Sequence, residues 1–369
     1  MNKINFFILS LMVLINVLLF SQDYEYEIFK LIDNNSISEI KNKVLNKEIN
    51  INFKNKYEET PLLYAIKTNA SNEIIKYLIN SGADINVTTN EINIDFYSYK
   101  KGIDNKTPFI WAILNNNLEI AKILLKKGAD INFSPRNGTT ALIEASKNCD
   151  DIEIIKFLIT NGANVNAKTK NVLDYRNEKL INELNLKYNL KKGEIYTEPI
   201  SLIPYSDKTA LINAVSRRQP KKDIIELLIE NGADVNARTS KGSSGLGAAI
   251  TYHYEDIAIL LINNGADGNL LGIFDDMYNV AELLIKKGAD INGKTYDGIM
   301  PPLIYAVDYG QIKITELLLK NRADVNIKFE NKGVIYYLKL KDFAYYNYPE
   351  KRKNYKKILK LLKKYGAKE

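Results

Sequence analysis

Cysteine and histidine are nearly absent from this chain of 369 residues, which contains one of each. A disulfide requires two cysteines, and a zinc site requires several cysteine or histidine ligands, so a single chain can build neither. Catalytic sets that pair serine or cysteine with histidine would all depend on His253. We therefore expect no metal, no cofactor and no enzymatic activity.

A strong charge of one sign is missing as well. The formal net charge is +7, from 51 basic and 44 acidic residues. No groove-reading motif accompanies this modest excess. We therefore interpret the lysines mostly as solvated helix surface and expect no nucleic-acid partner.

Only one hydrophobic run is long, and it extends from Ile4 to Phe20 behind Lys3. This order is typical of a secretory signal, with Ser21 as the small residue at the cleavage point. The sequence predicts a signal peptide or N-terminal anchor in residues 1–22, and a buried helix is a further alternative. We expect a monomeric, exported protein, periplasmic or secreted, whose only membrane contact would be an uncleaved segment in the inner membrane. Export without disulfides suits a bacterial envelope.

What the sequence does contain is a recurring motif, Gly-Ala-Asp/Asn-Ile/Val with Asn behind it. The step from Gly128 to Gly162 is 34 residues, and the step from Gly232 to Gly265 is 33. A fixed period of this length indicates stacked repeats rather than one globular core. The full or partial copies begin at Gly82, Gly128, Gly162, Gly232, Gly265, Gly288, Arg322 and Gly366.

Two helices are predicted in each repeat. A leucine lies four residues before each motif and Ile or Val lies eight before, which places both on one face of a helix that ends at the glycine. An earlier helix begins at segments such as Thr60-Pro61-Leu62. Threonine can cap a helix, and proline suits the first helical position. The other starts are at Thr107, Thr140, Thr209, Ser244 and Pro301.

Thr-Pro-Leu, two helices and Gly-Ala-Asp-Ile-Asn at about 33 residues together resemble the ankyrin repeat. The resemblance covers most of the chain after residue 25. It implies an all-α ankyrin-repeat solenoid of about nine helix-turn-helix repeats with β-hairpin-like finger loops. The first repeat is degenerate, with Ile40 in the register of Ile74 and Glu48 in that of Gly82.

One departure from the family is systematic. The family usually has histidine after Thr-Pro-Leu, where this chain has mostly aliphatic residues. We expect apolar burial to replace the hydrogen bonds of the imidazole. The residues at this position are Leu63, Ile110, Ile143, Ile212, Gly247 and Ile304.

The predicted ankyrin-repeat domain spans residues 23–369, and its period is interrupted at four places. Insertions lengthen the finger loops at residues 87–106 and 167–208, and the repeat at 270–292 is shortened. Residues 327–369 are interpreted as a divergent C-terminal cap. Insertions in repeat proteins map to loops on one face, often the binding face, so these breaks are candidate functional segments.

The resemblance implies that a protein partner binds a concave face built from finger tips and the exposed ends of the first helices. The candidate contacts at the finger tips are Lys56, Tyr57, Arg136, Tyr205 and Lys241, and those at the helix ends are Lys67, Asn115, Lys147, Arg217, Tyr252 and Tyr309. The first insertion adds Phe96, Tyr97 and Tyr99, because aromatics beside cations are typical of binding hot spots. The alternative is that these aromatics fold back onto the repeats.

No catalytic set survives the spacing of the repeats. Cys149 and His253 fall about three repeats apart, and stacked helices are separated by about 10 Å each. The segment Gly242–Gly247 lacks the lysine of a phosphate-binding loop and aligns with a turn. We expect a protein-binding scaffold without catalysis. The alternatives are a secreted effector that acts on a host protein and an enzyme with an unrecognised site.

Overall fold

The computed structural model describes residues 26–88, 106–135, 137–170, 206–268, 277–293, 300–344 and 349–368. They fall into two units, Met1–Pro204 and Tyr205–Glu369. The predicted signal segment and most of both predicted insertions lie outside the described residues. Within these ranges, no helix is both long and apolar enough to cross a bilayer.

The described part of the first unit consists of four helix pairs. The first helices α3, α5 and α7 pack side by side, and the second helices α2, α4 and α6 form a parallel row behind them. The helices are α1 (26–33), α2 (Ile37–Leu45), α3 (Pro61–Lys67), α4 (Asn72–Asn80), α5 (Pro108–Leu114), α6 (Leu118–Lys126), α7 (Ala141–Asn148) and α8 (Ile152–Thr160).

The second unit repeats this plan and adds one hairpin. Its helices are α9 (Ala210–Val215), α10 (Lys222–Glu230), α11 (Gly245–Thr251), α12 (Glu255–Asn263), α13 (Tyr278–Lys286), α14 (Pro302–Asp308), α15 (Ile312–Lys320), α16 (Val334–Ala344) and α17 (Pro349–Lys364). Strands β1 (Lys328–Phe329) and β2 (Lys332–Gly333) pair antiparallel. Glu330 and Asn331 between them both have positive φ, as a two-residue type I′ hairpin requires. The reduced first helix expected near residues 270–275 lies outside the described residues.

Helix starts and ends follow the sequence motifs. The hydroxyls of Thr60, Thr107, Thr140, Thr209 and Ser244 each accept a hydrogen bond from the backbone N–H three residues on. At the other end, Gly82 has φ +90°, and the N–H of Ala83 donates to the carbonyl of Leu78 at 3.1 Å. This is a Schellman ending, which satisfies the last carbonyls of the helix.

The core of each unit lies between its two helix rows. The aliphatic residues that replace the family's histidine are buried, with Leu63 and Ile304 fully inaccessible. The expected apolar substitution is therefore confirmed at five of the six positions, namely Leu63, Ile110, Ile143, Ile212 and Ile304. Gly247 at the sixth adds no side chain.

At several repeat boundaries in the described residues, the asparagine that closes a motif joins one repeat to the next. The Nδ2 of Asn132 donates to the carbonyl of Gly162 at 2.9 Å, and its Oδ1 accepts from the N–H of Asn164 at 2.8 Å. Asn52, Asn236 and Asn326 make the same pair of bonds to the following motif. The motif therefore contains both the helix stop and a connection between repeats.

The degenerate first repeat is present, but its predicted register is wrong by one residue. Lys47, rather than Glu48, takes the left-handed position at φ +57°. The N–H of Glu48 donates to the carbonyl of Lys43, as Ala83 does to Leu78 in the second repeat. One extra residue before Asn52 restores the later register, so the sequence motif hid the shift.

Candidate binding surface

The first helices of the first unit place one side chain each on a common face. These side chains lie four positions after the capping threonine, and they are Tyr64 on α3, Trp111 on α5 and Glu144 on α7. All three are half-buried. Since α5 packs against both α3 and α7, these residues form a row across three repeats.

Trp111 lies at the centre of this row, between two lysines. The Nζ of Lys106 is 5.5 Å from a ring centroid of the indole, and the Nζ of Lys67 is 5.7 Å from it. Cations at this distance from an indole are attracted by its ring quadrupole, by about 0.5–1 kcal/mol at an exposed site. We call Tyr64, Lys67, Lys106, Trp111 and Glu144 the tryptophan band.

Acidic groups hold both lysines in place. The Nζ of Lys67 lies 2.7 Å from Oε1 of Glu59, whose own side chain is only 6% exposed. The second carboxylate oxygen of Glu59 accepts from the amide of Asn55 at 2.9 Å. The Nζ of Lys106 lies 3.6 Å from Oε1 of Glu144 on α7, the first helix of the following repeat. The indole is therefore set in an ordered frame of charges of both signs.

Tyr64 connects the tryptophan band to α1. Its hydroxyl donates to Oδ1 of Asp33 at 2.8 Å, and its ring meets that of Phe29 edge-on at 5.2 Å. Burial first, and then the hydrogen bond to Asp33, raise the pKa of Tyr64 to about 12. The phenol therefore stays neutral at physiological pH and acts as a hydrogen-bond donor.

The corresponding face of the second unit is aromatic as well. The rings of Tyr305 and Tyr309 on α14 stack at 4.4 Å. Tyr309 is 55% exposed, and the neighbouring helix α16 exposes Tyr336 and Leu340. Each unit thus carries large, partly exposed side chains on its first-helix face.

Among the predicted finger-tip contacts, three lie in described residues and all three are exposed. Lys56 and Tyr57 occupy the turn before α3, where the ammonium lies 4.9 Å from the ring centroid. Lys241 occupies the turn bounded by the bridge between Arg238 and Ser244. Phe96, Tyr97, Tyr99, Arg136 and Tyr205 lie outside the described residues.

The predicted helix-end contacts differ in their surroundings. Lys147, Tyr252 and Tyr309 are exposed at the ends of their helices. Lys67 is half-buried in its ion pair with Glu59, and Arg217 is half-buried with its carbonyl accepting from the hydroxyl of Tyr254.

Asn115 has a structural bond. Its Nδ2 donates to the carbonyl of Ile66 in the preceding repeat at 2.5 Å. Its amide therefore joins two repeats, whichever partner approaches this face.

Sequence reasoning missed the centre of the band, namely Tyr64, Trp111 and Glu144. It placed contacts at the finger tips, in the first insertion and at the ends of the first helices, but not in the middle of those helices. A signal was nevertheless present, because the fourth position after the cap is aromatic or polar between apolar neighbours in five of the six repeats with such a start. A large or charged side chain at that position cannot be accommodated in the core.

Cysteine and histidine, side-chain types typical of metal sites and of nucleophilic catalysis, are few in the part of the chain that the structure describes. No group of three or more His, Cys, Asp or Glu side chains suited to a metal occurs among them. Cys149 is buried, with its Sγ 3.6 Å from the carbonyl of Ile113. His253 lies in the turn after α11, at φ +58°.

Comparison with protein families agrees with this geometry. A model described as ankyrin repeats in three copies matches residues 90–169 and 176–271. A single ankyrin repeat model matches residues 57–90 and 300–329. Together these matches cover more than half of the chain.

The chain is also similar to several individual proteins. A putative ankyrin repeat protein of Acanthamoeba polyphaga mimivirus is 27% identical over 279 residues, which is 70% of this chain and 34% of that protein. The phosphocholine transferase AnkX of Legionella pneumophila is 25% identical over 239 residues, 58% of this chain and 23% of that protein. The matched segments span about a third or less of these curated relatives. The crystal structure of an ankyrin repeat domain from Acinetobacter baumannii has a TM-score of 0.48 at 26% identity, covering 66% of this chain and all of that one.

Proposed function

Because this chain belongs to the ankyrin-repeat family, we propose that it is a non-catalytic module that binds a protein partner through the tryptophan band. The observation that carries the proposal is Trp111, the only tryptophan of the chain, held half-buried between two lysines on the first-helix face. Tryptophan is among the residues most enriched at binding hot spots, where it is ringed by polar contacts.

The charges around Trp111 favour a protein over a polyanion. Lys67 and Lys106 are each paired with a carboxylate, so the band has both signs rather than a uniform positive potential. Charges held in a fixed pattern select a partner with the complementary pattern. Exposed Lys56 and Tyr57 at the nearby finger tip would extend the contact.

Trp111→Ala is expected to remove most of the affinity. Truncation of a hot-spot residue costs about 2 kcal/mol or more, which is roughly a thirtyfold rise in Kd. The partner is first isolated by affinity capture from extracts of the source organism. Its Kd is then measured by titrating it into the wild type while the intrinsic fluorescence of Trp111 is recorded. The Kd of the variant, which lacks the tryptophan, is measured by calorimetry.

Phe157→Ala is the matched control, because Phe157 is a half-buried aromatic on the second helix α8, away from the first-helix face. We expect it to retain the partner. Equal retention by the two variants would refute the assignment of the binding surface.

A second candidate function is that of an exported effector that acts on a host protein. The apolar run from Ile4 to Phe20 favours export. The similarity to the Legionella transferase covers 23% of that protein, and the proposal does not include transferase activity. Fractionation of the source cells and their medium distinguishes the two proposals, since retention in the periplasm would contradict a host target.

A further inference from the structure

The positive charge of this chain is concentrated in its last 42 residues. Residues 328–369 contain thirteen Lys or Arg against four Asp or Glu, a net charge of +9, whereas the whole chain has +7. The preceding 327 residues are therefore slightly acidic, at −2. The helix α17 (Pro349–Lys364) contributes eight of the thirteen basic residues and only one acidic residue.

The basic residues of α17 are sorted by face. Tyr355, Ile358 and Leu362 are buried against α15 and α16. The six lysines of α17 whose side chains the structure describes are all exposed, and at 100° per residue they lie within an arc of about 120° directly opposite the buried side chains. They are Lys353, Lys356, Lys357, Lys360, Lys363 and Lys364. We call these six lysines the lysine stripe, which has a length of about 16 Å along the helix.

The other second helices of the chain serve as an internal reference. The α6 sequence LEIAKILLK and the α15 sequence IKITELLLK each contain one acidic and two basic residues, and α10 and α12 are net acidic. A stripe of one sign is therefore no consequence of the repeat fold, which buries the opposite face in every case.

We propose that the lysine stripe is a docking surface for a bilayer that contains anionic lipids. Six lysines within an arc of about 120° on the outer side of a helix present positive charge to a flat array of phosphate headgroups. Clusters of four to eight basic residues on one helix face are attracted to such surfaces by about 1 kcal/mol per residue. Arg352 is the one arginine of α17 and lies outside the stripe. Its guanidinium Nε is 3.1 Å from Oδ1 of Asp342.

Two features favour lipid over nucleic acid. The stripe is made of lysine alone, which gives point charges without the bidentate and stacking contacts of arginine. The apolar run of residues 4–20, if retained, would bring the chain to a bilayer. The lysine stripe shares no residue with the N-terminal segment for which membrane contact was predicted, and none with the tryptophan band.

The experiment measures partition of the full chain into vesicles by flotation. Vesicles of phosphatidylcholine alone are compared with vesicles in which phosphatidylglycerol replaces about a third of the lipid, at low salt and at about 0.5 M salt. Binding to the neutral vesicles records any insertion of the apolar N-terminal run. The ratio of anionic to neutral partition therefore isolates the electrostatic contribution.

The test variant combines Lys356→Gln, Lys357→Gln and Lys360→Gln. The matched control combines Lys122→Gln, Lys126→Gln and Lys127→Gln, three exposed lysines at the end of α6. At about 1 kcal/mol each, loss of three stripe lysines should reduce the partition ratio about a hundredfold. Replacement of the same three lysines by arginine should preserve the partition ratio, because the charge is retained. High salt should abolish the preference for anionic vesicles.

Three results would overturn the proposal. One is an equal partition of the wild type into neutral and anionic vesicles. Another is an equal loss in the α17 and α6 variants, which would reflect net charge alone. The third is release from the vesicles by duplex DNA at an equal concentration of phosphate, which would make nucleic acid the better ligand. None of these variants touches the tryptophan band, so the result is independent of the proposed protein binding.

Discussion

Tyr64 is a residue whose ionisation is controlled by its neighbours. Burial and the carboxylate of Asp33 raise its pKa from 10.0 to about 12 in the folded chain. The neutral phenol is thus favoured by folding. Its contribution to stability is complete below pH 10, the pKa of the unfolded chain, and is lost as the pH rises from 10 to about 12.

Tyr64→Phe should therefore destabilise the chain at pH 8 and lose this effect at high pH. The free energy of unfolding in urea, measured for both proteins at several pH values, gives the difference directly. All other ionisable groups are common to the two chains, so their titration largely cancels. A difference that stays constant up to pH 12 would contradict the assigned hydrogen bond between Tyr64 and Asp33.

Residues on the exposed face were harder to infer from the sequence than residues in the core. Leu78 and Leu158 are fully buried because the helical period places them there. Trp111 was not predicted as a contact, since a pattern that marks apolar positions leaves the remaining ones undifferentiated. The role of Asn115 required the neighbouring repeat, because its bond to Ile66 spans 49 residues.

At the scale of elements, the asparagine connections between repeats are the feature with the clearest energetic consequence. Asn132 donates to Gly162 and accepts from Asn164 across a repeat boundary. An intramolecular hydrogen bond contributes about 0.5–1.5 kcal/mol net, so the pair contributes about 1–3 kcal/mol.

Asn132→Ala should cost about that amount, and Asn132→Asp should cost roughly half, because the carboxylate keeps the acceptor and loses the donor. Thermal or urea unfolding of the three proteins gives the values. The order wild type, Asp, Ala in decreasing stability is expected. Equal stability of the wild type and Asn132→Ala would show that solvent replaces both bonds at this exposed site.

Helix starts and stops were predictable because their chemistry is local. Threonine caps and glycine stops act within four residues of the helix end, so a short motif is sufficient. The first repeat shows the limit of this reasoning. Without glycine at the stop, Lys47 adopts the left-handed conformation, and the sequence offers no cue to distinguish it from Glu48.

For the molecule as a whole, the net charge does not show how unevenly the charged residues are distributed along the chain. The net charge of +7 suggested an ordinary solvated surface, yet residues 328–369 alone have +9. The sequence contained this information, but only the structure shows that the exposed lysines of α17 form one stripe, because the buried residues Tyr355, Ile358 and Leu362 fix its rotation.

The repeat architecture also predicts how stability is distributed over the whole chain. Each repeat contacts only its neighbours, so a defect in one repeat mainly weakens the nearby ones. Leu158 in the first unit and Leu261 in the second are a matched pair, since both are fully buried and both lie four residues before a motif glycine. Replacement of either by alanine should cost about 2–5 kcal/mol.

The two variants should differ in the unfolding midpoint measured by the fluorescence of Trp111. The single tryptophan belongs to α5 in the first unit, so its fluorescence follows the unfolding of that unit. Leu158→Ala should lower the denaturant midpoint of the fluorescence transition, and Leu261→Ala should lower mainly the midpoint seen by far-ultraviolet circular dichroism. If both variants shift the fluorescence midpoint equally, the two units unfold as one cooperative body, and stability is shared along the entire chain rather than held repeat by repeat.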